Sequence, residues 1–262
     1  MPSTIAFSSQ KGGVGKTTSA VNLAMAFAVG GYRVLLIDLD PQGSVRYSFG
    51  IKEAAERGTH QLLTDPSVPL RDLRMSADGQ GLDYVLSNID TLKHERELAE
   101  KIGDLTSLKR RLDEEAQDYD FVLLDSPPST GILALNAMTA ADYVILPLQC
   151  ESLAIKSLKR FLHSFRELQM THNPDLRIAG ILMTMYNRRL AVHRKICRQM
   201  YETLFDSVFS TIIPQAKEIA EASAIGQSVI TYNVNSIGAT AYIRLAKEML
   251  DRFGFRPELA VK

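Results

Sequence analysis

The chain has 262 residues, 45% of them hydrophobic, and its 30 lysines and arginines balance 30 aspartates and glutamates. This length allows one large α/β domain or two small ones, and zero net charge excludes nucleic-acid binding through a global field, leaving only a local patch. No apolar run approaches the roughly 18 residues of a membrane-spanning helix, and Cys150 and Cys197 are too far apart in sequence for metal-ligand spacing, which points to a reducing cytoplasm.

In chain order, the first element is a short apolar strand, Thr4 to Ser8, which leaves no room for a signal peptide. Lys11-Gly12-Gly13-Val14-Gly15-Lys16-Thr17-Thr18 follows, and then an Ala/Leu-rich helix from about Lys16 to Val29, stopped near Gly30-Gly31. Strand, glycine-rich loop and helix make the context of a phosphate-binding loop. Glycines let backbone N–H groups converge on phosphate oxygens, and the helix N-terminus adds its positive dipole end. In such a loop Lys16 neutralises the β- and γ-phosphates, and Thr17 offers a hydroxyl to Mg²⁺. The general pattern has glycine where this chain has Gln10, and Lys11 is a second lysine at the loop's start.

The next strand, Arg33–Asp38, has four consecutive apolar residues, as expected of a central parallel strand covered on both faces. It delivers Asp38 and Asp40 to the ligand edge of an open sheet. Residues 44–81 are polar, with short helical patterns, and are expected to cover one end of the sheet. A strand at Leu82–Ser87 and a helical stretch at Leu92–Gln117, broken near Gly103, come next. Phe121–Leu124 brings Asp125 to the same edge, where it can hold Mg²⁺ directly or through water. Pro127 and Pro128 stiffen the loop beyond.

The remaining pattern predicts a helix at 131–140, a strand at Tyr143–Pro147, a helix at Leu153–Thr171 and a strand at Ile178–Thr184. A helix near Leu190–Leu204, a strand at Phe209–Ile213, a short helix near Ala216–Ala224 and a strand at Ser228–Thr231 follow. The last helix spans about Ala239–Phe253, with Tyr242, Leu245, Ala246, Met249, Leu250 and Phe253 on one core-facing stripe. Strands alternating with helices predict a single doubly wound, mostly parallel α/β sheet with helices on both faces. The whole of 1–262 reads as one domain, with no N-terminal helix-turn-helix extension.

Residues Lys11–Thr18 resemble the deviant Walker A loop of the ParA/MinD superfamily of ATPases. Asp38-Leu39-Asp40-Pro41-Gln42-Gly43 and Asp125-Ser126-Pro127-Pro128 are similar to the ParA branch in particular, as are Thr184–Leu190, Phe209–Pro214, 226–229 and 238–242. The resemblance covers nearly the whole chain and is weakest over residues 50–110. It implies a slow, partner-stimulated ATP hydrolase that binds ATP and Mg²⁺ and dimerises with the nucleotide between subunits. By that resemblance Lys11 crosses to the partner's ATP, Lys16 serves its own, and Asp40 positions the attacking water. Thr17, Asp40 and Asp125 form the metal set. Gly12, Gly13, Val14, Gly15 and Thr18 line the phosphates, and Met185, Tyr186 and Pro214 border the adenine. Segments 40–43 and 125–131 are the expected switch loops. The implied task is DNA partition, of a plasmid or chromosome, with a ParB-like activator, in the cytoplasm or on the nucleoid.

Some positions depart from that pattern. Where DNA-binding members of the family carry basic residues, this chain has Glu218, Asn235 and Ile237, and an acidic residue at a phosphate contact weakens binding. Arg188, Arg189, Arg194, Lys195 and Arg198 are replacement candidates for nonspecific DNA. A second cluster is Lys156, Lys159 and Arg160; Lys217, Arg244 and Lys247 are further candidates. The alternative reading is an ATPase that positions a protein cargo with weak or no DNA binding. A membrane-cycling MinD-like regulator would need a basic amphipathic helix in the tail 254–262, which is short and holds Pro257. A metal-cluster carrier would need matched cysteines.

Overall fold

The structure, a computed structural model, describes residues 1–255 apart from 78, 80, 102, 103, 152 and 153, and the side chains of 92, 95 and 99 lie outside that description. The expected break at Gly103, the helix start at Leu153 and the tail from 256 onward therefore fall outside the described residues.

Seven strands form one sheet in the order β3-β4-β2-β5-β1-β6-β7. They are β1 (Ser3–Phe7), β2 (Val34–Asp38), β3 (Met75–Ala77), β4 (Leu82–Val85), β5 (Phe121–Asp125), β6 (Tyr143–Gln149) and β7 (Arg177–Thr184). All neighbours are parallel except β3 against β4. The helices are α1 (Lys16–Val29), α2 (Ser44–Tyr47), α3 (Thr59–Thr64), α4 (Leu92–Lys101), α5 (Ser107–Glu115), α6 (Ile132–Ala140), α7 (Ala154–Thr171), α8 (Ala191–Leu204), α9 (Lys217–Ala224), α10 (Val229–Tyr232) and α11 (Ile237–Phe253).

Successive side chains of a strand point to opposite faces, and the central strands are apolar on both, so two cores form. Leu35 and Ile37 of β2 belong to the core that α3, α5, α6, α7 and α8 cover on one face. Val34 and Leu36 meet α1, α9, α10 and α11 on the other. Every residue of β2 and β5 is buried, as the unbroken apolar runs require.

Two expected strands are corrected. Ser228–Thr231 is the start of α10, because the Ser228 hydroxyl accepts the Thr231 N–H at 3.1 Å and caps a helical turn. Phe209–Ile213 is extended beside β7 and bonds it at Phe209 N–H to Ile181 (3.0 Å) and Ile213 N–H to Met183 (2.9 Å). Between those two rungs, the N–H groups of Ser210 and Thr211 donate to the Glu248 carboxylate at 2.7 and 2.8 Å, so the ladder is broken. The segment 44–81 does cover a sheet end, with α2, α3 and the edge strand β3.

Candidate functional site

The C-terminal ends of five strands converge on the loop after β1. This loop carries Lys11 to Gly15 into α1, and its turns need glycine: Gly13 has φ 73° and Gly15 φ 86°, conformations that cost a side chain dearly. Helix α1 has 14 residues, no side-chain cap and no acidic residue in its first turn. Its first N–H groups are thus left for an anion, at the positive end of the helix dipole.

Lys16 is only 6% exposed. Burial pushes its ammonium below the usual lysine value, while the Asp125 and Asp40 carboxylates oppose that shift. A phosphate beside it would add the anion that a desolvated ammonium lacks. Thr17 donates its hydroxyl to Asp125 Oδ2 at 2.6 Å. Asp125 is fully buried, and burial raises its carboxyl to about 7 against the pull of Thr17 and Lys16. Its second oxygen, Oδ1, is buried without a hydrogen-bond partner. A hydroxyl beside an orphaned carboxylate oxygen suits Mg²⁺, which takes few protein ligands and fills its shell with phosphate oxygens and water. Among the described residues no group of three or more His, Cys, Asp or Glu forms an all-protein metal cage.

Asp38 and Asp40 have different tasks. Asp38 is fully buried and accepts the N–H groups of Asp40 (3.0 Å) and Val45 (3.1 Å). Burial and the nearby Asp125 raise its carboxyl well above the ordinary range. It builds the turn; Asp40 occupies it. Asp40 accepts the Gln42 N–H at 3.0 Å on Oδ1. It lies near enough to Lys16 and Asp125 to bias both, and it touches neither Thr17 nor Asp125 through a hydrogen bond.

Lys11 points away from its own loop. Its ammonium pairs with Glu151 and reaches Gln149 at 3.5 Å, both at the end of β6. Gln149 also donates to the Gly13 carbonyl at 3.1 Å, and Thr184, at the end of β7, donates to the Val14 carbonyl at 2.8 Å. From the sequence, Gln149 and Glu151 were not singled out, and Asp38 and Thr184 were placed at strand ends without a role for either. The signal for Asp38 and Thr184 was available: polar residues at the C-terminal ends of buried strands.

Beside Gly15 and Thr18 lies a cleft of about 270 Å³, walled by Met185, Pro214, Ile219 and Ala220. Its size suits a flat aromatic base, with the phosphates outside along the loop. Tyr186 does not line it; it faces a larger groove of about 1020 Å³ between residues 210–214 and α11. Arg188 and Arg189 follow β7, and Arg194, Lys195 and Arg198 are exposed on α8, so none of the five joins the loop or the cleft. One guanidinium N–H of Arg194 is taken by the Arg188 carbonyl at 2.7 Å.

This arrangement can bind a polyphosphate, hold a divalent cation and place a carboxylate near the terminal phosphate. The family model for the AAA domain matches residues 2–178. The chain is 38% identical over 246 residues to the sporulation initiation inhibitor protein Soj of Bacillus subtilis, covering 94% of this chain and 97% of Soj. It is 36% identical over 250 residues to the chromosome partitioning protein ParA of Caulobacter vibrioides, covering 95% and 94%. Among solved structures, one described as cobyrinic acid a,c-diamide synthase from Mycobacterium smegmatis, with a bound ATP analogue and magnesium, superposes with a TM-score of 0.82. It is 33% identical, with 97% of each chain covered. A plasmid partition protein from Borrelia burgdorferi bound to AMPPNP gives a TM-score of 0.76 at 26% identity, covering 97% of this chain and 98% of its own.

Proposed function

The chain belongs to the ParA/MinD family of P-loop ATPases, and from that premise we propose that it is an ATP-driven dimerising switch that partitions DNA. The observation that carries the proposal is the pair of lysines on one glycine bend. Lys16 is buried inside the loop, whereas Lys11 is half exposed and directed out of it. One triphosphate needs one such lysine; the other is available to a nucleotide in a second subunit.

In this reading Lys16 and the N–H groups of residues 12–18 bind the phosphates of ATP, and Met185 and Pro214 border the base. Thr17 and Asp125 would hold Mg²⁺, which would supply charge neutralisation to the bound phosphates. Asp40, at the centre of the turn that Asp38 fixes, orients or deprotonates the attacking water. Lys11 leaves Glu151 and crosses to the partner's phosphates, offsetting repulsion between two triphosphates. Loss of the γ-phosphate then releases segments 40–43 and 125–131, where Pro128 stands 4.0 Å from the position of a Cβ on Gly12. A ParB-like activator stimulates turnover. The direct test is sedimentation with Mg²⁺ and either a slowly hydrolysed ATP analogue or ADP. A dimer with the analogue alone supports the switch; a monomer with both refutes it.

A second reading, positioning of a protein cargo, is favoured by one observation. Ile225, Val234 and Ile237 are 58%, 51% and 62% exposed near Glu218 and Asn235, where the family resemblance leads one to expect cations. Retention of the ATP-loaded protein on DNA separates the two readings. The helices among the described residues include none long and apolar enough to cross a membrane.

A further inference from the structure

The chain is neutral as a whole, yet its charge is unevenly placed along it. Residues 154–204, which contain α7, β7 and α8, hold ten lysines and arginines against three carboxylates. Residues 217–255, with α9, α10 and α11 on the opposite layer, hold four against four. There Lys217 pairs with Glu221 and Arg252 with Glu248. On α7, Lys156, Lys159, Arg160 and Arg166 are all exposed, and among the described residues none of them has a carboxylate partner.

Their spacing places them on one face. Leu158, Phe161, Phe165 and Leu168 turn inward to the sheet, and positions 156, 159, 160 and 166 fall on the outer side, spread over about 15 Å at 1.5 Å per residue. Helix α8 packs on the same core through Ile196, Cys197 and Met200. It exposes Lys195 and Arg198 on its own outer side. Unpaired like charges in such density raise each other's energy, and a polyanion relieves that cost by releasing its counterions.

We propose that the outer faces of α7 and α8 form a contact surface for the phosphate backbone of duplex DNA, carried by Lys156, Lys159, Arg160, Arg166, Lys195 and Arg198. The proposal rests on the DNA-partition reading and moves the contact to the layer opposite Glu218, Asn235 and Ile237. Duplex backbone is the occupant that the surface chemistry favours. A protein partner would need apolar anchors, and the outer face of α7 has one exposed large apolar side chain, Met170. A membrane surface would need an apolar stripe to insert, and that of α7 is buried in the core. Single strands would need exposed aromatic rings to stack on, and the two Phe rings of α7 face inward. Guanidinium forks suit phosphate oxygens, and backbone contact of this kind carries no sequence preference.

The test is fluorescence anisotropy of a short duplex of arbitrary sequence with the full chain, Mg²⁺ and a slowly hydrolysed ATP analogue, over about 50 to 200 mM salt. Lys159→Gln/Arg160→Gln/Arg166→Gln should make the slope of log K against log salt shallower by about 2.7, at roughly 0.9 per phosphate contact. Affinity at the low-salt end should drop tenfold or more. Lys159→Gln alone should change the slope by about 0.9, and Arg244→Gln/Lys247→Gln on α11 should leave it unchanged. Basal ATP turnover and the unfolding midpoint serve as folding checks. A wild-type protein that binds duplex while the triple variant keeps its slope overturns this surface and leaves the DNA reading standing. A wild-type protein that binds no duplex with any nucleotide overturns both. Loss of polyglutamate binding in the triple variant with duplex binding intact assigns the surface to an acidic protein and overturns the proposal.

Discussion

Lys11 and Glu151 form an ion pair within one subunit, joining the start of the phosphate-binding loop to the residues just past β6. Both side chains are nearly half exposed, at 44% and 47%, so solvent screens the pair and its contribution is small, about 0.2–1 kcal/mol. A dimer in which Lys11 crosses the interface must break two such pairs. Glu151→Gln should therefore favour the ATP-bound dimer by roughly two- to thirtyfold in its dissociation constant, the two pairs together amounting to about 0.4–2 kcal/mol. Sedimentation across a concentration series reads this directly. A variant that dimerises no more readily, or more weakly, would show that the pair does not restrain Lys11.

The two lysines should separate binding from assembly. Lys16→Ala removes the buried ammonium beside Asp125 and Asp40 and should abolish ATP binding by calorimetry. Lys11→Ala should bind ATP within a few-fold of wild type and remain a monomer. Normal affinity in the first variant would contradict the loop assignment, and an ATP dimer in the second would remove Lys11 from the interface.

Asp125 predicts a pH dependence. Its carboxyl, raised to about 7 by burial, holds a proton in the folded chain over a range where the unfolded chain has lost it. This group's contribution to stability is thus present at low pH and declines as pH rises from about 4 to 7. Metal binding needs the ionised form, so Mg²⁺ affinity in the presence of nucleotide should fall about tenfold from pH 8 to pH 6, with close to one proton released per Mg²⁺ bound at pH 6 and almost none at pH 8. Calorimetry in buffers of different ionisation enthalpy counts that proton. Asp125→Asn should lose the pH dependence; if the variant keeps it, another group is the one that titrates.

The loop, Asp40 and Asp125 were legible in the sequence because each is a local pattern: glycines before a helix, or a carboxylate ending an apolar run. Gln149 and Glu151 were not, because Pro147 looks like the end of a strand. The strand continues because β1 pairs with β6 only as far as Ile145, opposite Phe7. Beyond that residue one edge of β6 is free, and a residue without an N–H is tolerated there. The run Val229-Ile230-Thr231 has the β-branched composition of a strand, and two side-chain acceptors, the Ser228 hydroxyl for the Thr231 N–H and Asn22 Oδ1 for the Val229 N–H, hold it as a helical turn. At Phe209–Ile213 the extended conformation was readable, but the diversion of two N–H groups to Glu248, more than thirty residues later, was not. Local signals locate the strand ends; long-range partners decide what those ends hold.

Asp40 is the sharpest test of mechanism. It is 8% exposed and sits in a turn whose backbone is fixed independently of it, by Asp38 accepting the N–H groups of Asp40 and Val45 and by Thr59 donating to the Asp38 carbonyl at 2.6 Å. Removing the Asp40 carboxylate costs one hydrogen bond, that from Gln42 N–H at 3.0 Å, worth about 1 kcal/mol, so Asp40→Ala should fold and bind ATP. If Asp40 positions the attacking water as proposed, turnover should drop by about 10² to 10⁴, and the ATP-bound dimer should persist because its γ-phosphate is not lost. Asp38→Ala should behave differently: with both N–H acceptors gone, the turn itself is destabilised and the unfolding midpoint falls. Phosphate release and dimer lifetime, measured together on the two variants, separate a chemical role from a structural one. Wild-type turnover in Asp40→Ala would assign water positioning to another residue.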